Sequence, residues 1–157
     1  MTEVNGLRLA YRGFVTGIAG AYVWAAIAMA LAGILHGDPI APLRPVATAI
    51  SPLAGTQELA FVLGLAAVQA GGALVGMCFA YFFARFFTVR RTLGLAGPVV
   101  AVLLWTLLAA AFDQIGRPVP AEIQLIGALA TIGFGLVLGA SVPVRGEVTR
   151  YSGSPST

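Results

Sequence analysis

The stretch IQLIGALATIGFGLVLGASV, residues 123–142, decides the fold, because it runs for 20 positions without a formal charge. A helix of about 20 residues, with a rise of about 1.5 Å per residue, crosses the roughly 30 Å hydrocarbon core of a bilayer. Three other uncharged segments of comparable length precede it, at residues 13–35, 59–83 and 95–112. The sequence therefore predicts four membrane-spanning helices.

Composition supports this prediction and excludes several classes of protein. Of the 157 residues, 59% are hydrophobic and only 10% are charged, whereas soluble domains carry about 25% charged residues. An ordinary cytosolic enzyme, a nucleic-acid binder and a disordered linker are excluded on this ground. Membrane-spanning strands would alternate in polarity, but these segments are continuously apolar. The predicted fold class is all-α: a polytopic membrane protein with a four-transmembrane-helix bundle.

The distribution of arginine predicts the orientation in the membrane. Seven arginines lie in the N-terminal segment 1–12, between the second and third spans, and in the tail 143–157, while two lie in the other connections. They are Arg8, Arg12, Arg85, Arg90, Arg91, Arg145 and Arg150 against Arg44 and Arg117. Because short arginine-rich segments stay in the cytoplasm, we predict N-in/C-in topology. The expected location is a bacterial-type inner (plasma) membrane.

The first connection, residues 36–58, is too apolar for an ordinary exposed loop and contains four prolines. One interpretation is a segment in the membrane interface, with a short helix that begins at Asp38-Pro39 or after Pro45. The other is a loop packed over the mouth of the bundle. In the third span, Pro98 is expected in the opening turn, where its missing N–H costs little.

Rows of small residues at intervals of four favour close approach of helices in lipid. The last span carries Gly127, Thr131, Gly135 and Gly139, and the second carries Gly72 and Gly76. These rows predict either helix packing within the chain or an interface with a neighbouring subunit.

Trp24 and Trp105 lie near the middles of their spans rather than at the headgroup level where tryptophan is usual. Each indole N–H there needs an acceptor, for which Thr106, Thr131 and Gln69 are candidates. Core packing would also account for the indoles, as would contact with a lipid, quinone or pigment at a subunit interface. Gln69 itself is interpreted as an interhelical hydrogen-bonding group or a substrate contact.

The sequence offers little chemistry inside the membrane, because no span contains an ionisable side chain apart from Cys78 and tyrosine. His36 is the single histidine, so a bis-histidine haem within the chain is excluded. It could ligate a cofactor only together with a partner's group, or it faces solvent. The single cysteine provides no disulfide or thiolate cluster. We therefore predict no metal and no cofactor held by the chain alone.

These observations lead to the hypothesis of a non-catalytic accessory or structural subunit of a larger membrane complex, possible examples being respiratory and photosynthetic energy-transducing complexes. The expected partners are membrane lipid and other transmembrane subunits, without nucleic acid. One alternative is a small homo-oligomeric transporter or channel for a neutral or weakly polar solute, with Gln69, Thr106 and Thr131 along its path. Another is an enzyme that acts on lipid through His36, Asp38 and Asp113.

Overall fold

The computed structural model describes residues 3–54, 56–83 and 90–142, and these residues form five helices and no strand. The helices are α1 (Glu3–His36), α2 (Arg44–Ile50), α3 (Gln57–Phe83), α4 (Arg90–Gln114) and α5 (Ala121–Ser141). All except α2 are long and apolar enough to cross a membrane. The predicted all-helical chain with four candidate spans is confirmed, which indicates a multi-pass membrane protein.

The four long helices pack as antiparallel neighbours in the order α3, α1, α5, α4. Extensive contacts join α3 to α1, α1 to α5, and α5 to α4, whereas α3 and α4 do not pack along each other. The end of α1, helix α2, the start of α3, the end of α4 and the start of α5 lie together, and we call this the α2 end. The chain's first helix therefore contributes to two packed interfaces, and α4 to one.

Glycine allows the helices to approach closely in two of these interfaces. A Cβ atom added to Gly72 of α3 would lie 2.6 Å from the Cβ of Ala21 and 2.8 Å from the carbonyl oxygen of Gly17, both on α1. Between α5 and α4, a Cβ on Gly135 would lie 2.5 Å from the Cα of Pro98. Side chains at these positions would separate the helices, so the small residues set the interhelical distance.

Helix α2 lies within the first connection, whose position relative to the membrane interface stays a prediction. It begins beside Pro45, which occupies one of its first two positions, where a missing N–H costs little. It also packs against α3, because Leu43 and Ala47 are fully buried and a Cβ on Gly64 of α3 would lie 2.8 Å from the Cβ of Leu43. The connection is therefore a short helix held over the end of the bundle.

All four long helices begin before their uncharged segments, and α1 and α4 do so by the most. Helix α1 starts at Glu3, so Arg8 lies on the helix. Helix α4 starts at Arg90, which places Pro98 inside the helix and not in its opening turn. Because proline has no N–H, the carbonyl of Gly94 loses its partner four residues later. The contact between Pro98 and Gly135 lies at this break in the hydrogen-bond ladder.

Candidate functional site

The two tryptophans meet in the middle of the molecule. The centroids of Trp24 on α1 and Trp105 on α4 are 5.6 Å apart, with their ring planes tilted by 46°. Trp24 is 5% exposed, so its N–H needs an acceptor within the protein. Its Nε1 lies 3.0 Å from Oγ1 of Thr131 and 3.2 Å from the carbonyl oxygen of Gly127, both on α5.

The indole N–H of Trp105 also forms its hydrogen bond with α5. Its Nε1 donates to the carbonyl oxygen of Gln124 at 3.1 Å, and its ring packs on the backbone of Gly127, where a Cβ would lie 2.5 Å from Cη2 of the indole. The hydroxyl of Thr131 in turn donates to the carbonyl of Gly127 at 2.6 Å. Of the three acceptors considered from the sequence, Thr131 is the one that binds an indole.

An apolar groove opens beside the indoles because α3 and α4 do not pack along each other. The groove has a volume of about 340 Å³, and we call it the α3–α4 groove. Its lining consists of Ala21, Trp24, Val46, Ala67, Val68, Gly71, Gly72, Val75, Ala101, Leu104, Trp105, Leu108, Thr131 and Phe134. No charged residue is among them, and both indole N–H groups already donate to α5.

The two walls of the groove differ in size. The α3 wall presents small residues at Ala67, Gly71 and Gly72, whereas the α4 wall presents Leu104 and Leu108 beside its indole. A Cβ on Gly71 would have no heavy atom within 4 Å, so this part of the wall is open. The arrangement can therefore accept an apolar group that approaches the α3 backbone closely, and it offers no free indole donor to a polar ligand.

The small-residue rows lie between helices of this chain. On α5, Gly127, Thr131, Gly135 and Gly139 are all buried, against the indoles and α4. On α3, Gly72 and Gly76 are buried against α1. Helix packing within the chain thus covers most of these rows, and Gly72 and Thr131 also line the α3–α4 groove.

The remaining polar candidates do not join this site. Thr106 is exposed and its hydroxyl donates to the carbonyl of Leu103 on its own helix at 2.8 Å. The amide of Gln69 is buried, and neither its oxygen nor its nitrogen has a hydrogen-bond partner among the described residues. Neither residue lines the α3–α4 groove. The structure therefore brings together Trp24, Trp105 and Thr131 but leaves Gln69 and Thr106 apart from them.

The α2 end holds a second cavity, which sequence reasoning missed. Its volume is about 500 Å³ and it is lined by Ala41, Arg44, Pro45, Thr48, Pro52, Arg117, Pro118, Pro120 and Ile123. We call it the arginine pocket. Nη1 of Arg44 lies 2.9 Å from Oδ2 of Asp38, and Nη1 of Arg117 donates to the carbonyl oxygen of Thr48. The clusters of proline around both arginines were the available sequence signal.

His36 lies near the pocket's end of the molecule and pairs with an acid. Its Nδ1 is 3.6 Å from Oε2 of Glu122, and the two side chains are 33% and 74% exposed. Within the part of the chain that the structure describes, no group of three His, Cys, Asp or Glu side chains is placed to hold a metal ion. Cys78 is exposed. The tail 143–157 and Arg85, Arg145 and Arg150 lie outside the described residues.

Comparison of the chain with protein-family models, with curated proteins and with solved structures found no match.

Proposed function

We propose that this protein is a non-catalytic accessory subunit of a larger membrane complex, and that it contacts a neighbouring transmembrane subunit through the α3–α4 groove. The observation that carries the proposal is the groove itself, an apolar cleft of about 340 Å³ between two helices that do not pack along each other. Water does not fill an apolar cleft at this depth, so lipid or protein must cover it.

The shape of the groove favours a helix as its occupant. Helices associate in lipid where small residues let their backbones approach, and Ala67 and Gly71 provide such a surface on α3. The α3 lining runs from residue 67 to residue 75, which corresponds to roughly 12 Å of helix at 1.5 Å per residue. A partner helix can therefore insert the side chains of about two turns between α3 and α4.

The absence of catalysis is part of the proposal and rests on the sequence. Charged side chains and histidine inside membrane spans commonly mark proton relays and substrate or ion pathways, and residues 13–35, 59–83, 95–112 and 123–142 contain no Asp, Glu, Lys, Arg or His. A transporter for a polar solute would need a continuous polar lining. Thr131 is the one polar side chain of the groove, and its hydroxyl donates to a carbonyl of its own helix.

We also propose that the protein lies in a bacterial-type inner membrane with both termini in the cytoplasm. Arg44 and Arg117 are the two arginines of the α2 end, against seven in residues 1–12, between the second and third spans, and in residues 143–157. This asymmetry is the sign expected for N-in/C-in insertion. Fusions of alkaline phosphatase and of a fluorescent protein to the C-terminus test it, since only the fluorescent fusion should be active.

Site-specific photo-crosslinking tests the accessory role. A photoreactive benzoylphenylalanine at Ala67 points into the groove, and the same residue at the adjacent, exposed Ala66 is the matched control outside it. In native membranes we expect position 67 to give an adduct with one other transmembrane polypeptide, and position 66 to give none. Filling the groove with Gly71→Leu should remove that adduct.

Two results would overturn the proposal. Equal adducts at both positions would mean that the groove has no special contact with a partner. An adduct made of two copies of this chain would favour the homo-oligomeric alternative over an accessory role.

A further inference from the structure

We infer that the arginine pocket binds the phosphate headgroup of an anionic phospholipid from the surrounding membrane. The pocket lies at the α2 end, where the candidate spans end, and the headgroup region of a bilayer lies beyond its hydrocarbon core. This site is separate from the α3–α4 groove, and the inference does not depend on the accessory role proposed above.

The first argument is the convergence of positive charge. The residues between α1 and α3 and those between α4 and α5 contain one arginine each, Arg44 and Arg117. Although they are far apart in the sequence, both line the same pocket, and no Asp or Glu is among its lining residues. The carboxylate of Asp38 offsets the charge of Arg44, whereas Arg117 contacts a neutral carbonyl, so these three side chains together leave one positive charge that an anion can offset.

The second argument is the hydrogen-bonding capacity that remains. A guanidinium group has five N–H donors in a planar fork that matches the oxygens of a phosphate. Arg44 uses Nη1 for Asp38, and Arg117 uses Nη1 for the carbonyl of Thr48. Within the described residues these are the hydrogen bonds and ion pairs of the two side chains, so several donors on each are left for a ligand.

The third argument is the character of the walls. Four prolines, Pro45, Pro52, Pro118 and Pro120, surround the arginines, and Ile123 contributes an aliphatic wall. Proline has a fixed φ angle, so this frame loses little conformational freedom when a ligand binds. A volume of about 500 Å³ lies within the usual range of ligand sites, roughly 300–1,000 Å³. Arginine binds phosphate oxygens in a bidentate geometry.

A lipid is favoured over a soluble phosphate compound because of where the pocket opens. The pocket has an apolar wall beside the arginines, since Pro45 and Ile123 line it and also pack with Leu108 and Phe112 of α4 around a small void. A phospholipid can place its phosphate on the arginines and its glycerol on this wall. A soluble phosphate would gain the first contact without the second.

The inference is tested on the full chain in detergent, with dioleoyl-phosphatidylglycerol and dioleoyl-phosphatidylcholine as probes, by native mass spectrometry and thermal unfolding. Phosphatidylglycerol should bind and raise the unfolding temperature more than phosphatidylcholine does. Arg44→Gln and Arg117→Gln should each weaken phosphatidylglycerol binding about tenfold or more, as expected for the loss of a charged hydrogen bond. Arg8→Gln is the matched control, because Arg8 is an exposed arginine on the part of α1 that leads away from the α2 end.

Three outcomes would overturn the inference. Equal weakening by Arg8→Gln would indicate general attraction to the charged chain. Equal binding of phosphatidylcholine would remove the role of the anionic headgroup. Competition by sn-glycerol-3-phosphate as strong as that by the lipid would identify a site for soluble phosphates.

Folding of the variants is checked by helical circular dichroism. Arg117→Gln removes the hydrogen bond to Thr48 and could prevent folding. In that case Arg44→Gln alone tests the inference, because the side chain of Arg44 is exposed and takes no part in that hydrogen bond. Arg44→Lys keeps the positive charge but lacks the planar guanidinium group, so its affinity for phosphatidylglycerol should lie between those of the unsubstituted protein and Arg44→Gln.

Discussion

Gly71 and Gly72 are adjacent on α3, yet replacing Gly72 by alanine should leave the protein less stable than replacing Gly71 by alanine. The Cβ position of Gly71 faces the open groove and has no heavy atom within 4 Å, whereas that of Gly72 meets α1. Both substitutions change the same residue type at the same depth in the membrane. The difference between them therefore isolates the cost of separating α1 from α3.

The size of the effect follows from two distances. The methyl group added in Gly72→Ala would lie 2.6 Å from the Cβ of Ala21 and 2.8 Å from the carbonyl oxygen of Gly17, and ordinary contact begins at 3.4 Å. Helix α1 must therefore move away by about 0.8 Å. A gap of roughly 0.5–1 Å forfeits a quarter to a half of each dispersion contact across an interface, and overpacking of this kind costs about 1–3 kcal/mol.

Helix propensity acts in the same direction at both positions. Alanine is favoured over glycine in a helix by about 1 kcal/mol in water. Gly71→Ala should therefore leave the free energy of unfolding unchanged or raise it by up to about 1 kcal/mol. The free energy of unfolding of Gly72→Ala should lie about 1–3 kcal/mol below that of Gly71→Ala.

Reversible unfolding by sodium dodecyl sulfate in mixed micelles measures both free energies, with far-ultraviolet circular dichroism to follow helix content. Gly72→Ala should unfold at a lower mole fraction of the denaturing detergent. If the two variants unfolded together, or if Gly72→Ala were the more stable, the close contact of α1 with α3 would be wrong.

Three further predictions concern the hydroxyl of Thr131, the α3–α4 groove and the contact between His36 and Glu122. Thr131→Val should lower the free energy of unfolding by about 0.6–2 kcal/mol, the range for interhelical hydrogen bonds in membranes. Thr106→Val is the control, because the hydroxyl of Thr106 bonds its own helix, and it should leave the free energy of unfolding unchanged in the same micelle assay. Ala67→Phe should reduce the quenching of tryptophan fluorescence by lipids with brominated acyl chains, because position 67 lines the groove. Ala66→Phe should not reduce it. Equal quenching in the two variants would contradict a groove open to lipid. Glu122→Gln removes an exposed contact with the histidine at the end of α1 and should lower the midpoint of thermal unfolding little, because exposed pairs of this kind contribute at most about 1 kcal/mol.

The candidate spans were predictable because a long uncharged segment has one common solution in a bilayer, a helix that satisfies its own backbone. The helix ends were less predictable. Arg8 and Arg90 are charged, yet helices α1 and α4 include them, since a helix can continue past the hydrocarbon core into the headgroup region. Pro98 likewise ended up inside α4, because the helix had already begun at Arg90.

The order of the helices could not be read from the sequence. Glycine occurs 20 times, so small-residue rows exist on several helices and do not identify their partners. Which residues of two helices come into contact depends on how the helices are rotated and shifted against each other, as the contact of Gly72 with Ala21 illustrates. The gap between α3 and α4 follows from that order, and the groove could not be predicted without it.

The tryptophans show the same limit at the level of single atoms. Their mid-span position predicted that each N–H needs an acceptor, and Thr131 was one of three candidates. Choosing among the candidates required the position of α5 relative to α1. The acceptor of Trp105, the backbone carbonyl of Gln124, has no side-chain signal. Arg44 and Arg117 met in one pocket for a comparable reason, because two separate connections fold over the same end.

A density map of the protein in a native membrane extract, purified under mild detergent, tests the central claim most directly. The account predicts the density of a helix from another polypeptide between α3 and α4, in contact with Ala67 and Leu108 and lying over the two indoles. A particle that contains this chain alone, with detergent or lipid filling the groove, would contradict it.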